Sequence, residues 1–361
     1  MSNSTVNITI DFDSQHLGNT IFMCSLYLSL GTVAIMANLL NLVTYLTNKE
    51  LRNNFVFLIA LDFGEILNGV SYVLTGIGRG SQALGGTFNT PISVKNCFFT
   101  RYWPIPLIVG TELPAFITLL TSMERVVAVQ RPAQYNKLFN PKMKMFFLIF
   151  LFALQLSSLI WAAVGALHST KINGDQHCAI IGSTSDEYST FHFIFIVLAY
   201  VVSFCSLFVV HQFQMVQREE EARLTQKIIY PTKRAPRLKI FLAMTSIDIA
   251  LVSMPAFVML GAKWQWFHPN DIVVSITYST TGFLSIVHIS INFFFQSEFR
   301  RQIRYLWLKV RGQNPQTDTA VTFVNHSTYN TPSKFMMIVH ESPIGSKSTR
   351  FGSSYNTTKC R

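Results

Sequence analysis

The sequence predicts an all-α membrane protein, a seven-transmembrane helix bundle followed by a short amphipathic helix. Three observations predict it. Seven apolar stretches each reach the length of about 20 residues that a helix needs to cross roughly 30 Å of hydrocarbon. None alternates as a strand would, and helices are the only open-ended way to satisfy backbone groups in lipid. Charged residues make up only 13% of the 361 residues while apolar ones make up 49%; a soluble domain carries nearer a quarter charged.

The arm before the first span, residues 1–19, is polar and lacks a basic flank, so no cleavable signal peptide is expected and the first span serves as the insertion signal. Asn3 and Asn7 stand in Asn-x-Ser/Thr acceptors for glycosylation. The first span, Ile21–Leu46, carries Asn38 and Asn41. The second, Phe55–Ile77, carries Asp62 and Glu65, which are three apart and share one helix face. Glu112 interrupts the third span, Tyr102–Met123, which runs on into Glu124-Arg125 and Arg131-Pro132. The fourth and fifth are Met145–Leu167 and Thr190–Val210, and the charged connection after them is long enough to extend the fifth and sixth helices beyond the bilayer. Pro255 lies midway along the sixth, Ile240–Gly261, where it should kink the helix and free a carbonyl; Asp248 precedes it. The seventh, Ile272–Phe295, holds His288 and Asn292.

These spans form one unit, 20–296. Over 297–311, Phe299, Ile303, Leu306, Trp307 and Val310 recur at helical spacing among Arg300, Arg301, Arg304, Lys309 and Arg311. That pattern predicts a helix lying at the membrane surface, with its basic face toward anionic lipids. The tail, 312–361, is Ser/Thr-rich and reads as disordered and cytoplasmic.

The net charge of +11 is a topology signal and not a nucleic-acid surface. The first, third and fifth connections together with 297–311 hold 18 Lys and Arg; the N-terminal arm and the other three connections hold five, Arg79, Lys95, Arg101, Lys171 and Lys263. Short basic loops stay cytoplasmic, which puts the N-terminus outside and the C-terminus inside, as in a multi-pass plasma-membrane protein. Cys97 and Cys178 then fall on the outer side, where oxidation is permitted. They are free thiols or a bridge; the bridge is favoured because it would pin the second outer loop against the third helix. Cys24 and Cys205 read as small hydrophobes inside spans.

Acids inside a membrane are expensive and need an explanation. Asp62, Glu65 and Asp248 lie at depths where Asn38, Asn41, His288 and Asn292 can meet them. Such a network either holds helices together statically or binds a cation or proton during a conformational switch. Glu112 either faces a ligand cavity or bonds to a neighbouring helix. A membrane metal hydrolase would need three or so converging His and carboxylate ligands, and His192, His211 and His288 show no paired spacing. A seven-helix channel of reversed topology conflicts with the distribution of basic residues. No cofactor is expected.

The assembled features resemble the rhodopsin-like G-protein-coupled receptors over Ile21 to about Lys309. Ala37-Asn38 is similar to the family's Gly-Asn; Asn54-Phe55 with Leu58, Ala60 and Asp62 or Glu65 is similar to its second-helix run. The resemblance implies an outer Cys97–Cys178 disulfide and makes Arg125, beside Glu124, the residue whose release opens a G-protein cavity, aided by Arg237 and Lys239. It implies a switch network of Asn38, Asp62, Glu65, Asp248, Pro255, His288 and Asn292. It also implies an outer ligand pocket whose candidate walls are Leu107, Thr111, Glu112, His192, Phe195, Phe257, Trp264, Tyr278 and Thr281. Implied partners are an extracellular small molecule or peptide, a heterotrimeric G protein, and a receptor kinase and arrestin at the tail. Val252-Ser253-Met254-Pro255 departs from the family's Cys-Trp-x-Pro, and His288 to Asn292 from its Asn-Pro-x-x-Tyr. Leu107 stands where amine receptors carry an acid, and Ala235 near where many place an acid that locks the arginine. Divergence of this kind is similar to nematode serpentine chemoreceptors. The alternative is a non-signalling or helper protein of the receptor fold.

Overall fold

The computed structural model describes residues 17–225, 234–266 and 271–312. Asn3, Asn7 and the tail lie outside them. The described residues are all-α, 86% helical. In chain order the elements are α1 (Leu17–Thr47), α2 (Lys49–Asn54), α3 (Val56–Leu84), β1 (Ile92–Ser93), α4 (Val94–Thr100), α5 (Pro104–Gln130), α6 (Pro132–Leu138) and α7 (Pro141–His168). Then come β2 (Ile172–Asn173), α8 (Ile180–Ser183), α9 (Asp186–Thr225), α10 (Arg234–Asp248), a π-helical turn (Ile249–Ser253), α11 (Met254–Lys263), α12 (Asp271–Phe295) and α13 (Ser297–Val310).

Among the described residues, six helical segments are long and apolar enough to cross a membrane: Gly18–Thr47, Val56–Leu84, Pro104–Gln130, Pro141–His168, Asp186–Gln217 and Leu242–Lys263. This is the architecture of a multi-pass α-helical membrane protein. α12 is a seventh long helix of 25 residues, whose stretch Gly282–Phe295 is apolar.

Local chemistry sets several boundaries. Asn140 caps α7 by accepting a hydrogen bond from the Met143 amide at 2.9 Å, and Pro141 fills the first helical position, where its missing N–H costs nothing. Ser93 caps α4 in the same way through the Asn96 amide. The expected disturbance at Pro255 takes the form of the π-helical turn one residue before α11, with Pro255 in the first turn of that helix. Pro114, which sequence reasoning did not use, lies inside α5. Gly64 of α3 stands against its ring, where an added Cβ would come within 3.2 Å.

The most extensive helix contact is α1 on α3, followed by α3 on α5, α5 on α9 and α12 on α1. The α1–α3 approach needs glycine. A Cβ at Gly31 would sit 2.7 Å from the Gly69 carbonyl oxygen, and one at Gly69 3.0 Å from that of Gly31. One apolar cluster fills the half of the molecule near the disulfide, around Phe98, Trp103, Ile108, Tyr188, Tyr200 and Met259. A second joins Tyr45, Leu51, Phe55, Leu58 and Leu207 at the other end. Phe299 of α13 is fully buried in it, its ring 5.5 Å from Tyr45, so the amphipathic helix is anchored to α1. Trp307 and Val310 remain exposed on α13, the face expected to meet lipid.

α3 is longer than the expected second span, continuing past Ile77 to Leu84. The run of α9 past Val210 to Thr225 accords with the expected extension of the fifth helix. The extra turns of α3 contain Arg79 and Gln82, which are buried and not exposed as a loop would be; Arg79 bonds to the segment between α7 and α9.

Candidate functional site

Four polar clusters occupy successive depths. At the end nearest the N-terminus of α5, Cys97 and Cys178 form a disulfide with Cα atoms 5.5 Å apart. It ties α4 to the segment between α7 and α9, where β1 and β2 pair antiparallel. Trp103 Nε1 donates to the Cys178 carbonyl at 3.2 Å, and Arg79 Nε to the His177 carbonyl at 2.7 Å. Gln176 bonds with both Arg101 and Thr90. Burial pushes His177 well below the usual imidazole range, and the Arg79 guanidinium adds to the effect. At the same end, Lys263 of α11 donates to Asp186 Oδ1 of α9 at 2.8 Å, and Lys171 pairs with the same carboxylate.

One layer deeper, the fully buried Glu112 resolves its two expected possibilities in favour of its neighbours. Oε2 accepts from Gln155 Nε2 at 3.0 Å and Ser158 Oγ at 2.8 Å; Oε1 accepts from Tyr188 OH at 2.8 Å and meets His192 Nδ1 at 2.8 Å. The other ring nitrogen of His192 lies 3.2 Å from Thr111 Oγ1. A carboxylate with four such partners is satisfied where it stands, and it joins α5, α7 and α9. Among the pocket candidates, the structure brings together Thr111, Glu112 and His192, with the buried Leu107 one turn along α5 from Thr111. Phe195 stacks against Phe116, ring centroids 4.4 Å apart. Phe257 and Trp264 are 46% and 57% exposed; Trp264 caps the end of α11, where tryptophan favours the membrane interface over an interior wall, and Phe257 lies beside Trp266 with ring centroids 6.0 Å apart. The side chains of Tyr278 and Thr281 lie outside the described residues.

The third layer holds the expected switch network. Asn41 Nδ2 donates to Asp62 Oδ1 at 3.2 Å, and Asn38 Nδ2 to Ser285 Oγ at 2.8 Å. His288 Nε2 and Asp248 Oδ1 are 2.9 Å apart, and Asp62 and Glu65 are close enough to act electrostatically on the same imidazole. Asn292 Oδ1 accepts from Gln296 Nε2 at 2.9 Å. A cavity of about 20 Å³ borders Asp248 and His288 and reaches Thr118, Thr121 and Ser122 of α5. Among the described residues, no group of three or more His, Cys, Asp or Glu side chains is placed to hold a metal ion.

At the far end of α5, Glu124 is buried and held from three sides. Lys144 Nζ of α7 lies 2.6 Å from Oε1, Tyr135 OH of α6 donates to Oε1 at 2.9 Å, and the Arg125 guanidinium stands 3.7 Å from Oε2. The phenol of Tyr135 is pushed up to about 12, by burial first and then by the Glu124 charge, so it stays a donor. Lys144, which the sequence places among loop lysines, is in fact buried against Glu124. Its signal was available: it follows Asn140-Pro141 by one helical turn, inside the helix those residues start. The side chains of Arg237 and Lys239 lie outside the described residues.

No protein-family profile and no curated protein matches the chain.

Proposed function

We propose that the chain is a rhodopsin-like G-protein-coupled receptor with seven spans, N-terminus outside. It senses an extracellular small molecule or peptide and signals to a cytoplasmic heterotrimeric G protein. One observation carries the reading: α5 has a disulfide-tethered loop folded over one end and the buried Glu124, with Arg125 beside it, at the other. A single helix thus connects a covered outer face to a charged inner one, the arrangement a transmembrane signal requires. The basic residues concentrate in the connections on the Arg125 side, which supports a cytoplasmic position for that side. The π-helical turn before Pro255 supports outward movement of α10, because such a turn leaves the helix a local bend and unpaired carbonyls.

A ligand can drive that movement only by binding the two arrangements unequally. The tail's Ser and Thr would each gain roughly −1.5 to −2 charge on phosphorylation, which suits a kinase and an arrestin as desensitising partners. The test is a second-messenger screen with ligand pools in cells carrying the full chain. Arg125→Ala should abolish the response at unchanged surface expression; a normal response would sink the mechanism. A helper protein of the same fold is the second reading, favoured by Ser253 standing where the family has an aromatic switch two residues before its proline. It would give no response to any pool.

A further inference from the structure

We propose that the buried Asp248–His288 pair is the positioning contact that holds α10 against α12 at rest, taking the place of the acid that is absent at Ala235. The inference deepens the receptor reading and rests on it for its signalling consequence, though the contact itself is a matter of structure. Asp248 is the last residue of α10 and immediately precedes the π-helical turn. His288 lies on α12, and both side chains are buried, with Nε2 and Oδ1 2.9 Å apart. The pair therefore joins the two helices at the point where α10 would pivot. Any movement of α10 that carries Asp248 away from α12 has to break this contact or drag α12 with it.

The other contacts here divide into two kinds. Ile240, Met244 and Ile291 form an apolar cluster between α10 and α12; such contact is non-directional and can slide. Thr280 donates to the Leu251 carbonyl at 2.9 Å, within the turn itself. On the α10 side of the turn, the Asp248–His288 bond supplies the direction. His288 faces Asp248 from α10 and Asp62 and Glu65 from α3, and the phenol of Tyr200 on α9 lies within electrostatic reach of Asp248 and Glu65.

A contact can serve a two-state element only if it has somewhere else to go. The cavity of about 20 Å³ beside the pair opens toward Thr118, Thr121 and Ser122. These hydroxyls line the same cavity as Asp248; Thr121 and Ser122 donate to the Ile117 and Thr118 carbonyls, and a hydroxyl can exchange such a backbone acceptor for a displaced carboxylate. The alternative is close at hand and polar, which allows a discrete second arrangement of the same helices.

The experiment uses the full chain in lipid nanodiscs, with Cys24, Cys205 and Cys360 replaced by Ser. Spin labels are attached through Met145→Cys on α7 and Ala243→Cys on α10, both exposed positions. The label-to-label distance distribution is then compared among the wild type, Asp248→Ala, His288→Ala and the exchanged pair Asp248→His with His288→Asp. Each single variant should shift the distribution to longer distances, and the exchanged pair should restore it. Ligand-independent second-messenger output in cells should rise several-fold in the singles and fall back in the exchange. Unchanged distances in both singles overturn the proposal, as does an exchanged pair no nearer to wild type than the singles. Singles and exchange that all fail to fold mark the contact as a mere structural tie and overturn it too. A distance change with no second-messenger change upholds the positioning contact and removes the receptor reading.

Discussion

Glu112 shows how a charge is kept inside a membrane protein: it is buried completely, yet each oxygen has two partners from neighbouring helices. Removing its charge leaves those groups without their acceptor. Glu112→Leu should destabilise the detergent-solubilised protein by roughly 3 kcal/mol, and His192→Leu by less, since three donors remain; thermal unfolding would rank them. His177 gives a pH-dependent counterpart outside the spans. Its imidazole is held neutral in the folded protein, whereas in the unfolded chain it titrates near 6.5. As pH falls below that value the unfolded state takes up the proton first. Stability is therefore complete above about 6.5 and declines below it, by at most about 1.4 kcal/mol per pH unit. His177→Gln should flatten that decline in a series of melts; an unaltered slope would assign the dependence to other groups. Glu112 stands out in the sequence as a lone acid, but its partners do not. Gln155 and Ser158 are ordinary polar residues in an apolar span, and only packing reveals that they point at the same carboxylate.

At the scale of helices, the α1–α3 contact is set by two glycines facing each other. Gly31→Leu has no room against the Gly69 carbonyl, so the helices must separate, at a cost of about 1–3 kcal/mol. Reduced surface expression and a lower melting temperature should follow, while leucine at the open Gly18 should change neither. Pro255→Ala is expected to act in the opposite sense on stability. It restores an N–H to the first turn of α11 and lets the π-helical turn relax toward a regular helix, which should raise the melting temperature and depress ligand-driven output together. A rise in output would contradict the hinge. Hydrophobic runs made the long helices legible but misjudged their ends. α3 runs on past Ile77, although Arg79 falls among the basic residues of the next connection. Arg79 is buried with its Nε on the His177 carbonyl of the disulfide-bound loop, and Gly78 lies against Trp103; both partners are far along the chain, and no local pattern announces them.

Across the whole molecule, the disulfide closes a segment of 81 residues. In the chain-entropy account such a loop contributes about 4 kcal/mol in water; helices already inserted in a bilayer are confined, so less is expected here. Cys178→Ser should thus lower the melting temperature without abolishing folding, and should loosen the loop toward protease digestion at the outer face. Epitope tags near residue 1 and near residue 230 test the orientation. The first should be reachable on intact cells and the second only after permeabilisation; the reverse would dismantle the proposed signalling route. The architecture was readable because membrane solvent imposes a length on every crossing. The clusters between helices were readable only as lists of costly residues, since depth in the bilayer fixes which groups can meet but not which do.

α9 is a single helix of 40 residues, about 60 Å from end to end at 1.5 Å per residue. Its apolar span, Asp186–Gln217, takes up 32 of those residues, so the last eight, about 12 Å, stand clear as a mast. Whatever grips its tip near Thr225 is kept at arm's length from the lipid headgroups and meets a rigid post instead of a loose tether. Trimming Glu219 to Thr225, two turns, would shorten that stand-off by about 10 Å while leaving every apolar turn in register.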